Sequence, residues 1–368
     1  MNIINVALAT PLRQHFDYLL PANINRENLR IGSRVLVPFG RQEKIGIIIG
    51  FTDESDFPIA KLKHILQSMD EQPIFDENVM ALCRWASRYY HHPLGEVLHA
   101  AMPAQARKLE TINFHNFDYV YPTPTTPLVK LTPRQRACLD FVIARPGLST
   151  FDLKQSGFSA STLQALLTKA QLDCRHDAPP KQMDHITVIE EGPELNPAQA
   201  NAVNALHLQP HFHCFLLNGV TGSGKTEVYL RAIEQQLSRG KQAIVLIPEI
   251  GLTPQTVQRF TERFAVPVVA LHSRLSDSER LQAWIAAKTG IAKIIIGTRS
   301  AILTPAPDLG IIILDEEHDL SFKQQSRFRY SARDLAVMRA KLLNIPVLMG
   351  SATPSLESLY NVKQQRFT

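Results

Sequence analysis

Nothing in this chain pairs its cysteines. Cys83, Cys138, Cys174 and Cys214 are widely spaced, the nearest two being 36 residues apart (138 to 174), and no C-x-x-C occurs. A zinc knuckle is therefore not expected, and buried free thiols in a reducing compartment are. Long apolar runs are also missing. Those at 45–51 and 311–314 fall far short of the roughly 20 residues that span a bilayer. The opening MNIINVALATPLRQ puts no cation ahead of an apolar core, so it does not read as a secretory signal. A cytoplasmic protein with no membrane partner is expected. Internal repeats and low-complexity tracts are absent. A strong charge of one sign is lacking as well: the net charge of +5 and pI near 9.0 tilt only mildly towards polyanions. That small excess is uneven. Residues 1–110 hold twelve Lys/Arg and twelve Asp/Glu, whereas 321–341 carry Lys323, Arg327, Arg329, Arg333, Arg339 and Lys341 against Asp334 alone. What is present is length: 368 residues, 45% hydrophobic and 20% charged, suffice for two or three soluble domains.

The strongest positive signal is GVTGSGKT, Gly219-Val220-Thr221-Gly222-Ser223-Gly224-Lys225-Thr226, a full G-x-x-x-x-G-K-[ST] phosphate loop. Apolar Phe215-Leu216-Leu217 precedes it and a helix-like stretch at 227–239 follows, which is the strand–loop–helix context the motif requires. Glycines let backbone N–H groups curl round phosphates, and the helix N-terminus adds partial positive charge. Lys225 is expected to reach the β- and γ-phosphates of ATP, and Thr226 to hold Mg²⁺ through its hydroxyl. Eighty-nine residues on (226 to 315), Asp315-Glu316-Glu317-His318 ends an apolar run. Asp315 is placed to hold Mg²⁺, and Glu316 to orient or deprotonate the attacking water. The plainer alternative is a solvated acidic turn, but Ile311 to Leu314 would carry the acids to the C-terminal edge of a sheet, where ligands bind.

Two proline-rich stretches, 121–128 and 177–197, read as linkers and divide the chain. Residues 1–115 form a mixed, β-rich segment with strands expected at 3–8, 35–37 and 45–51. A helix is expected at 76–90, with Val79, Leu82, Cys83 and Ala86 on one face. Residues 130–177 predict helices at 133–144 and 151–155, a stop at Gly157, and a third helix capped by Ser159 that runs to Leu172 and buries Leu163, Leu166, Leu167 and Ala170. This reads as a winged helix, or as a plain three-helix spacer. Residues 195–368 alternate apolar strands (213–217, 243–247, 268–271, 293–296, 311–314, 347–349) with helices, predicting a RecA-like lobe on a parallel sheet. The fold class is thus α/β multidomain.

Further strings extend the picture. Asn196-Pro197-Ala198-Gln199, PEIGLTPQ from Pro248, GTRSA from Gly297, DEEH, and SATPS from Ser351 resemble the ordered motifs of the first lobe of a superfamily 2 helicase. GVTGSGKTEVYL, VLIPEIGLTPQ, LHSRLSDSER, IIGTRSAIL and DEEHDLSFKQQ, together with FDYLLP from Phe16, RVLVPFG from Arg34 and YYHHPLGEVL from Tyr89, are similar to the PriA family of replication-restart helicases. These matches run from about residue 3 to 361. The resemblance implies an ATP-dependent 3′-to-5′ DNA helicase that recognises stalled or repaired forks and D-loops and starts primosome assembly. Single-stranded-DNA-binding protein and other primosome proteins are the implied partners. It implies that Gln199 reads the adenine edge, although Gln199 alone could be a polar residue before a helix. Gly251, Thr253, Thr298 and Arg299 would grip a DNA backbone without reading sequence. His318, Ser351 and Thr353 would couple the ATP site to the DNA groove, though a lone Ser or Thr also suits a helix cap. Phe16, Asp17, Gly40 and Lys63 match a pocket for the 3′ end of a nascent strand. After DEEH, Phe322-Lys323 and Phe328-Arg329-Tyr330 interleave aromatic and cationic residues, a pattern suited to stacking on bases while binding phosphates. The alternative is a cationic surface loop whose aromatics are buried.

The chain also departs from the resembled pattern. After Thr353 only 15 residues remain, with no second lobe to supply arginine fingers, which are worth about 10³–10⁵ in rate. The cysteine cluster that binds zinc in the family is absent too. The sequence reads as the N-terminal portion of such a protein, expected to turn ATP over poorly alone. Two rivals stay open: a non-catalytic fork-DNA binder that holds nucleotide without efficient hydrolysis, and another superfamily 2 translocase. The 3′-end motifs argue against the latter.

Overall fold

A computed structural model describes residues 3–114, 118–123, 129–144, 146–176 and 192–368. The expected linker residues 124–128 and 177–191 lie outside these. The first sheet is antiparallel, built from β1 (Ile3–Leu8), β2 (Phe16–Leu19), β3 (Arg34–Phe39), β4 (Gln42–Thr52) and β5 (Gln67–Ser68) in the order β2-β1-β4-β3-β5. Side chains alternate faces along a strand, and here each face has its own core. Ile4, Val6 and Leu8 pack with Val35, Val37 and Ile48, while Ala7 and Ile47 join a second core under the helices. Those helices are α1 (Glu77–Tyr89) and α2 (Leu94–Ala101). Asp76 caps α1 by accepting from the Val79 amide at 2.8 Å, and the face of Val79, Leu82, Cys83 and Ala86 is buried as expected. α2 lies so close to β1 that a Cβ at Gly95 would stand 1.8 Å from the Leu8 carbonyl oxygen.

Next come β6 (Asp118–Pro122), α3 (Pro133–Ala144), β7 (Leu148–Ser149), α4 (Thr150–Gln155), α5 (Ala160–Thr168) and β8 (Leu172–His176). A three-stranded antiparallel sheet, β7-β6-β8, is packed by three helices, which is the winged-helix arrangement rather than a plain spacer. Two expectations need correction. The sheet reaches back to Asp118, upstream of residue 130, so Tyr121 and Pro122 are strand and not linker. The third helix stops at Thr168 rather than reaching Leu172: Ala170 takes a left-handed φ of 50°, ending the helix and letting Leu172 begin β8.

The last unit comprises α6 (Pro197–Leu208), β9 (Cys214–Asn218), α7 (Lys225–Ser238), β10 (Gln242–Leu246), α8 (Pro254–Arg263), β11 (Val268–Leu271), α9 (Asp277–Lys288), β12 (Ile294–Gly297), β13 (Leu309–Asp315), α10 (Ala332–Leu343), β14 (Val347–Ser351) and α11 (Leu356–Lys363). Its six strands are all parallel, in the order β11-β12-β10-β13-β14-β9. Both faces are covered, one core gathering β10, β12 and β13 with α7 and α8, the other with α9 and α10. The second of these is continuous with α1 and α2 of the first unit, with Phe75 edge-on to Trp284 at 6.5 Å. Among the described residues no helix is long and apolar enough to cross a membrane.

Candidate functional site

The phosphate loop joins β9 to the N-terminus of α7. Gly222 and Gly224 both take φ of 82°, the left-handed region that favours glycine. The loop is tight: a Cβ on Gly224 would stand 2.2 Å from Gln199 Nε2, and one on Gly219 2.7 Å from Ser223 Oγ. Val220, Thr221 and Gly222 form the exposed rim, while Ser223 and Thr226 are half-buried. Lys225 is buried; its ammonium donates to the Gly219 carbonyl at 2.8 Å and lies 3.3 Å from Glu316 Oε1. Gln199 donates through Nε2 to the Ser223 carbonyl (3.0 Å), and its Oε1 accepts from the Asn196 amide (2.9 Å) in a capping box at the start of α6. An amide carries two hydrogens and two lone pairs, so one of each is left for a base.

β13 delivers Asp315 to the same edge. Burial raises its pKa, against the lowering effect of a hydrogen bond from the Tyr229 hydroxyl at 2.9 Å. Tyr229 lies one helical turn beyond Lys225 on α7, and its own pKa is raised well above the usual phenol value by burial and then by Asp315. Glu316 has a left-handed φ of 50°, and this turn sends consecutive acids to different places. Glu316 meets Lys225 and accepts from the Ala352 amide (3.2 Å). Glu317 goes inward, wholly buried, accepting from Arg333 (3.0 Å), the Ser355 amide (2.7 Å), and the hydroxyls of Ser355 (3.1 Å) and Ser358 (3.0 Å). His318 joins Ser351 Oγ through Nδ1 (2.7 Å) and Thr353 Oγ1 through Nε2 (3.3 Å), so DEEH and SATPS touch directly.

Other expected residues divide. Thr253 spends its hydroxyl capping α8, accepting from the Thr256 amide at 3.2 Å, beside half-buried Gly251. Thr298 and Arg299 follow β12, and Arg299 donates to the Ser321 carbonyl at 3.0 Å. The aromatic expectation is corrected. Phe322, Phe328 and Tyr330 are 2%, 2% and 7% exposed, so none can stack on a base in this arrangement. Phe328 stacks on Tyr330 at 4.8 Å and meets Tyr90 and His92, while Lys323, Arg327 and Arg329 alternate outward. The Tyr90 hydroxyl accepts from the Ser331 amide (3.2 Å) and donates to Asp334 (3.1 Å), tying the end of α1 to this loop. In the first sheet, Phe16 packs edge-on against Phe39 at 5.1 Å. Asp17 accepts from Asn5 (2.8 Å) and Ser55 (2.6 Å). Gly40 has φ of 62° with open space around it, so it serves the turn and not a close contact. Lys63 is exposed, its carbonyl accepting from the Leu19 amide of β2 at 2.8 Å.

A 3'DNA-binding domain (3'BD) family model, that of PriA, matches residues 5–103, and a DEAD/DEAH box helicase model matches residues 196–362. The replication restart protein PriA of Haemophilus influenzae is 44% identical, the alignment covering 100% of this chain and 51% of that protein. The chain belongs to the PriA family. PriA of Chlamydia pneumoniae is 35% identical over 98% of this chain and 50% of its own. The chain therefore spans about half the length of the curated relatives it matches. A solved structure of RecG bound to a three-way DNA junction aligns over 62% of this chain and 28% of its own, at 19% identity and a TM-score of 0.35. Neither family model reaches 104–195, the stretch that carries the winged helix and the segment after α2.

Reasoning from sequence missed Glu317, Tyr229 and Tyr90. Tyr229 had a usable signal, since i and i+4 share a helix face and Lys225 fixed which face mattered. Glu317 had none, because the left-handed turn at Glu316 breaks any strand or helix period.

Proposed function

We propose that this PriA-family chain is the fork-recognising and nucleotide-binding portion of an ATP-dependent 3′-to-5′ DNA helicase that restarts stalled replication. Three functional units are proposed: residues 1–115 for a 3′ DNA end, the winged helix, and residues 195–368 as the ATP-binding lobe. The observation carrying this reading is the convergence of Lys225, Asp315 and Glu316 on one sheet edge, with Lys225 3.3 Å from Glu316. The donor set suits a hard cation beside phosphates: a half-buried threonine hydroxyl, a carboxylate at a strand end, and a glycine loop in which a Cβ on Gly219 or Gly224 would collide with Ser223 or Gln199. Thr226 and Asp315 would hold Mg²⁺, which neutralises charge on the phosphates. Lys225 turns from the Gly219 carbonyl towards the β- and γ-phosphates, freeing Glu316 to orient water. His318, bonded to Ser351 and Thr353, carries movement at that edge towards the nucleic-acid face.

On the first sheet, Phe16 would stack on the terminal base, Asp17 contact a sugar hydroxyl and Lys63 a phosphate, with Gly40 shaping the rim. Thr298, Arg299, Gly251 and Thr253 would hold a strand by its backbone. The proposed partners are branched DNA with a 3′ end, single-stranded-DNA-binding protein and other primosome proteins, in the cytoplasm. The deciding measurement is ATP turnover with and without a fork carrying a 3′ end at the branch, in the unmutated chain and in Lys225→Ala and Asp17→Ala. Turnover lost in Lys225→Ala, and 3′-end preference lost in Asp17→Ala, support the reading. If the unmutated chain binds forks but no nucleotide, the motor reading is wrong. Tight nucleotide binding with no turnover identifies the non-catalytic binder.

A further inference from the structure

Behind the phosphate loop, four charged side chains alternate in sign across two helices. Glu227 follows Thr226 in the first turn of α7, Arg231 and Glu234 lie one and two turns on, and Arg263 closes α8. Arg263 Nη2 lies 3.2 Å from Glu227 Oε1 and 3.7 Å from Glu234 Oε2, and Arg231 reaches the same two carboxylates at 3.0 and 3.5 Å. Glu227 and Arg263 are 11% and 5% exposed. Taking two charges out of water is costly, and their attraction offsets it only where the remaining polar atoms are matched. Here the Arg263 Nε–H finds no acceptor among the described residues, so the pair is a poor stabiliser on its own account.

What lies over this pair is backbone. A Cβ on Gly192 would stand 2.2 Å from both Arg263 Nη1 and Glu227 Oε1, and 2.5 Å from Arg263 Nη2. Those atoms end long side chains, but each holds the other and Arg263 is buried, so neither is free to swing aside. Only glycine permits this approach. The chain then runs through exposed Pro193 and Glu194 to Leu195, which packs against the core of α7 and α8. Next comes the Asn196 amide, four residues on (192 to 196), which donates to Gln199 Oε1 at 2.9 Å. With Nε2 giving a hydrogen to the Ser223 carbonyl (3.0 Å), the Gln199 amide cannot turn over without losing both bonds. It offers a base one lone pair and one hydrogen in fixed places. Adenine presents a donor beside an acceptor, N6 and N7, whereas guanine presents acceptors at both O6 and N7. The fixed amide matches the first and sets Oε1 against an acceptor of the second. Held by Ser223 alone, it could pivot about Nε2 and swing Oε1 away, and guanine would no longer be refused.

We propose that Arg263 and Gly192 are positioning residues for base selection. The Glu227–Arg263 pair is the seat on which residues 192–196 rest, and the seat keeps Gln199 set for adenine against guanine. This rests on the reading of Gln199 as the adenine contact and deepens it: selectivity depends on residues that do not themselves meet the nucleotide.

The test is competition of ATP and of GTP, each with Mg²⁺, against a fluorescent ATP analogue on the full chain. Arg263→Gln and Gly192→Ala are each expected to lower the preference for ATP over GTP about tenfold, the worth of one hydrogen bond. Neither strands Glu227, which keeps Arg231 at 3.0 Å, and thermal melting checks that each variant is folded. Should Arg263→Gln melt too low to assay, Gly192→Ala decides alone. A role confined to packing would weaken both nucleotides by the same factor, and an unchanged ATP-to-GTP ratio would overturn the proposal. Gln199→Ala judges the adenine contact separately. If it abolishes the preference while the seat variants keep it, the seat fails and the adenine contact stands. If the unmutated chain shows no preference, or Gln199→Ala leaves it whole, the adenine contact itself is wrong and the seat falls with it.

Discussion

Replacing Glu317 with alanine would open the junction between DEEH and SATPS from the inside. Its carboxylate is wholly buried and takes four hydrogen bonds: one from Arg333 on α10, two from Ser355 and one from Ser358 on α11. Arg333 keeps a 2.6 Å bond to Ser355 Oγ, so alanine does not strand it completely, but it does lose the buried carboxylate. Removing one partner of a buried ion pair costs about 3–5 kcal/mol, and each buried donor left unmatched costs about 1–3 kcal/mol. These losses overlap, so about 3–5 kcal/mol is the expected total. For a unit of this size 1 kcal/mol moves the melting point by roughly 2–4 °C, which puts the expected drop near 10 °C. Glu317→Gln keeps one acceptor oxygen but turns the other position into a donor facing donors, so its loss should fall between alanine and the unmutated protein. Hydrogen exchange supplies a local readout, because Ser355 caps α11 and the Ser358 amide donates to it at 3.3 Å. That amide should lose protection in both variants, while amides of β3 and β4 keep theirs. A melting point within about 2 °C of the unmutated protein, roughly 1 kcal/mol or less, would refute the claim that Glu317 pins the two motifs together.

Tyr229→Phe removes the hydroxyl that orients Asp315, a hydrogen bond to a charged acceptor worth about 1.5–3 kcal/mol. Nucleotide affinity should fall about tenfold with magnesium present and stay unchanged without it; an equal loss in both conditions would contradict the positioning role. Gly350→Ala would place a Cβ 1.7 Å from that hydroxyl and 2.8 Å from the ring carbon bearing it. A cost of about 1–3 kcal/mol is expected for such overpacking. An unfolding double-mutant cycle should show part of it recovered in Tyr229→Phe, and additive costs would argue that Gly350 is needed for something else. His99, with a pKa near 4 in the folded chain against 6.5 ordinarily, binds its proton more readily unfolded. Its contribution to stability therefore rises from about pH 4 to about 6.5 and is flat above. His99→Gln should remove that slope, and a difference between variant and unmutated melting curves that persists at pH 8 would rule out titration as its cause.

The parallel sheet was legible because its strands are short unbroken apolar runs, and a strand covered on both faces needs nothing else. Ile311, Ile312, Ile313 and Leu314 all point into one core or the other, so position in the sequence alone located the acids that follow. The end of the third winged helix was not legible. Its apolar spacing continues past the stop, and only the left-handed backbone at Ala170, a residue type with no preference for it, ends the helix. The aromatic loop failed for a related reason. Alternating aromatic and cationic residues look the same whether the aromatics meet a base or a neighbouring unit, and here Tyr90 and His92 of the first unit supply the apolar surface. Which surface wins is a long-range fact, decided by residues more than two hundred positions away.

That same long-range contact bears on how the units act together. Tyr90 sits at the end of α1, and its hydroxyl bridges the Ser331 amide and Asp334 at the start of α10. α10 also carries Arg333, the partner of Glu317. A displacement of α1 therefore reaches the acidic motif through two polar contacts without crossing the parallel sheet. The packing makes such a displacement costly to absorb elsewhere, because α1, α2, α9 and α10 share one continuous core, and close-packed interiors transmit strain better than they dissipate it. If binding in the first unit influences the nucleotide edge at all, Tyr90→Phe is the gentlest cut in that route. It keeps the ring contact with Phe328 and removes only the bridge. Fork-dependent stimulation of ATP turnover should fall in Tyr90→Phe while turnover without DNA stays the same. Stimulation that survives intact would mean the two units communicate by another path, the shared core itself being the remaining connection.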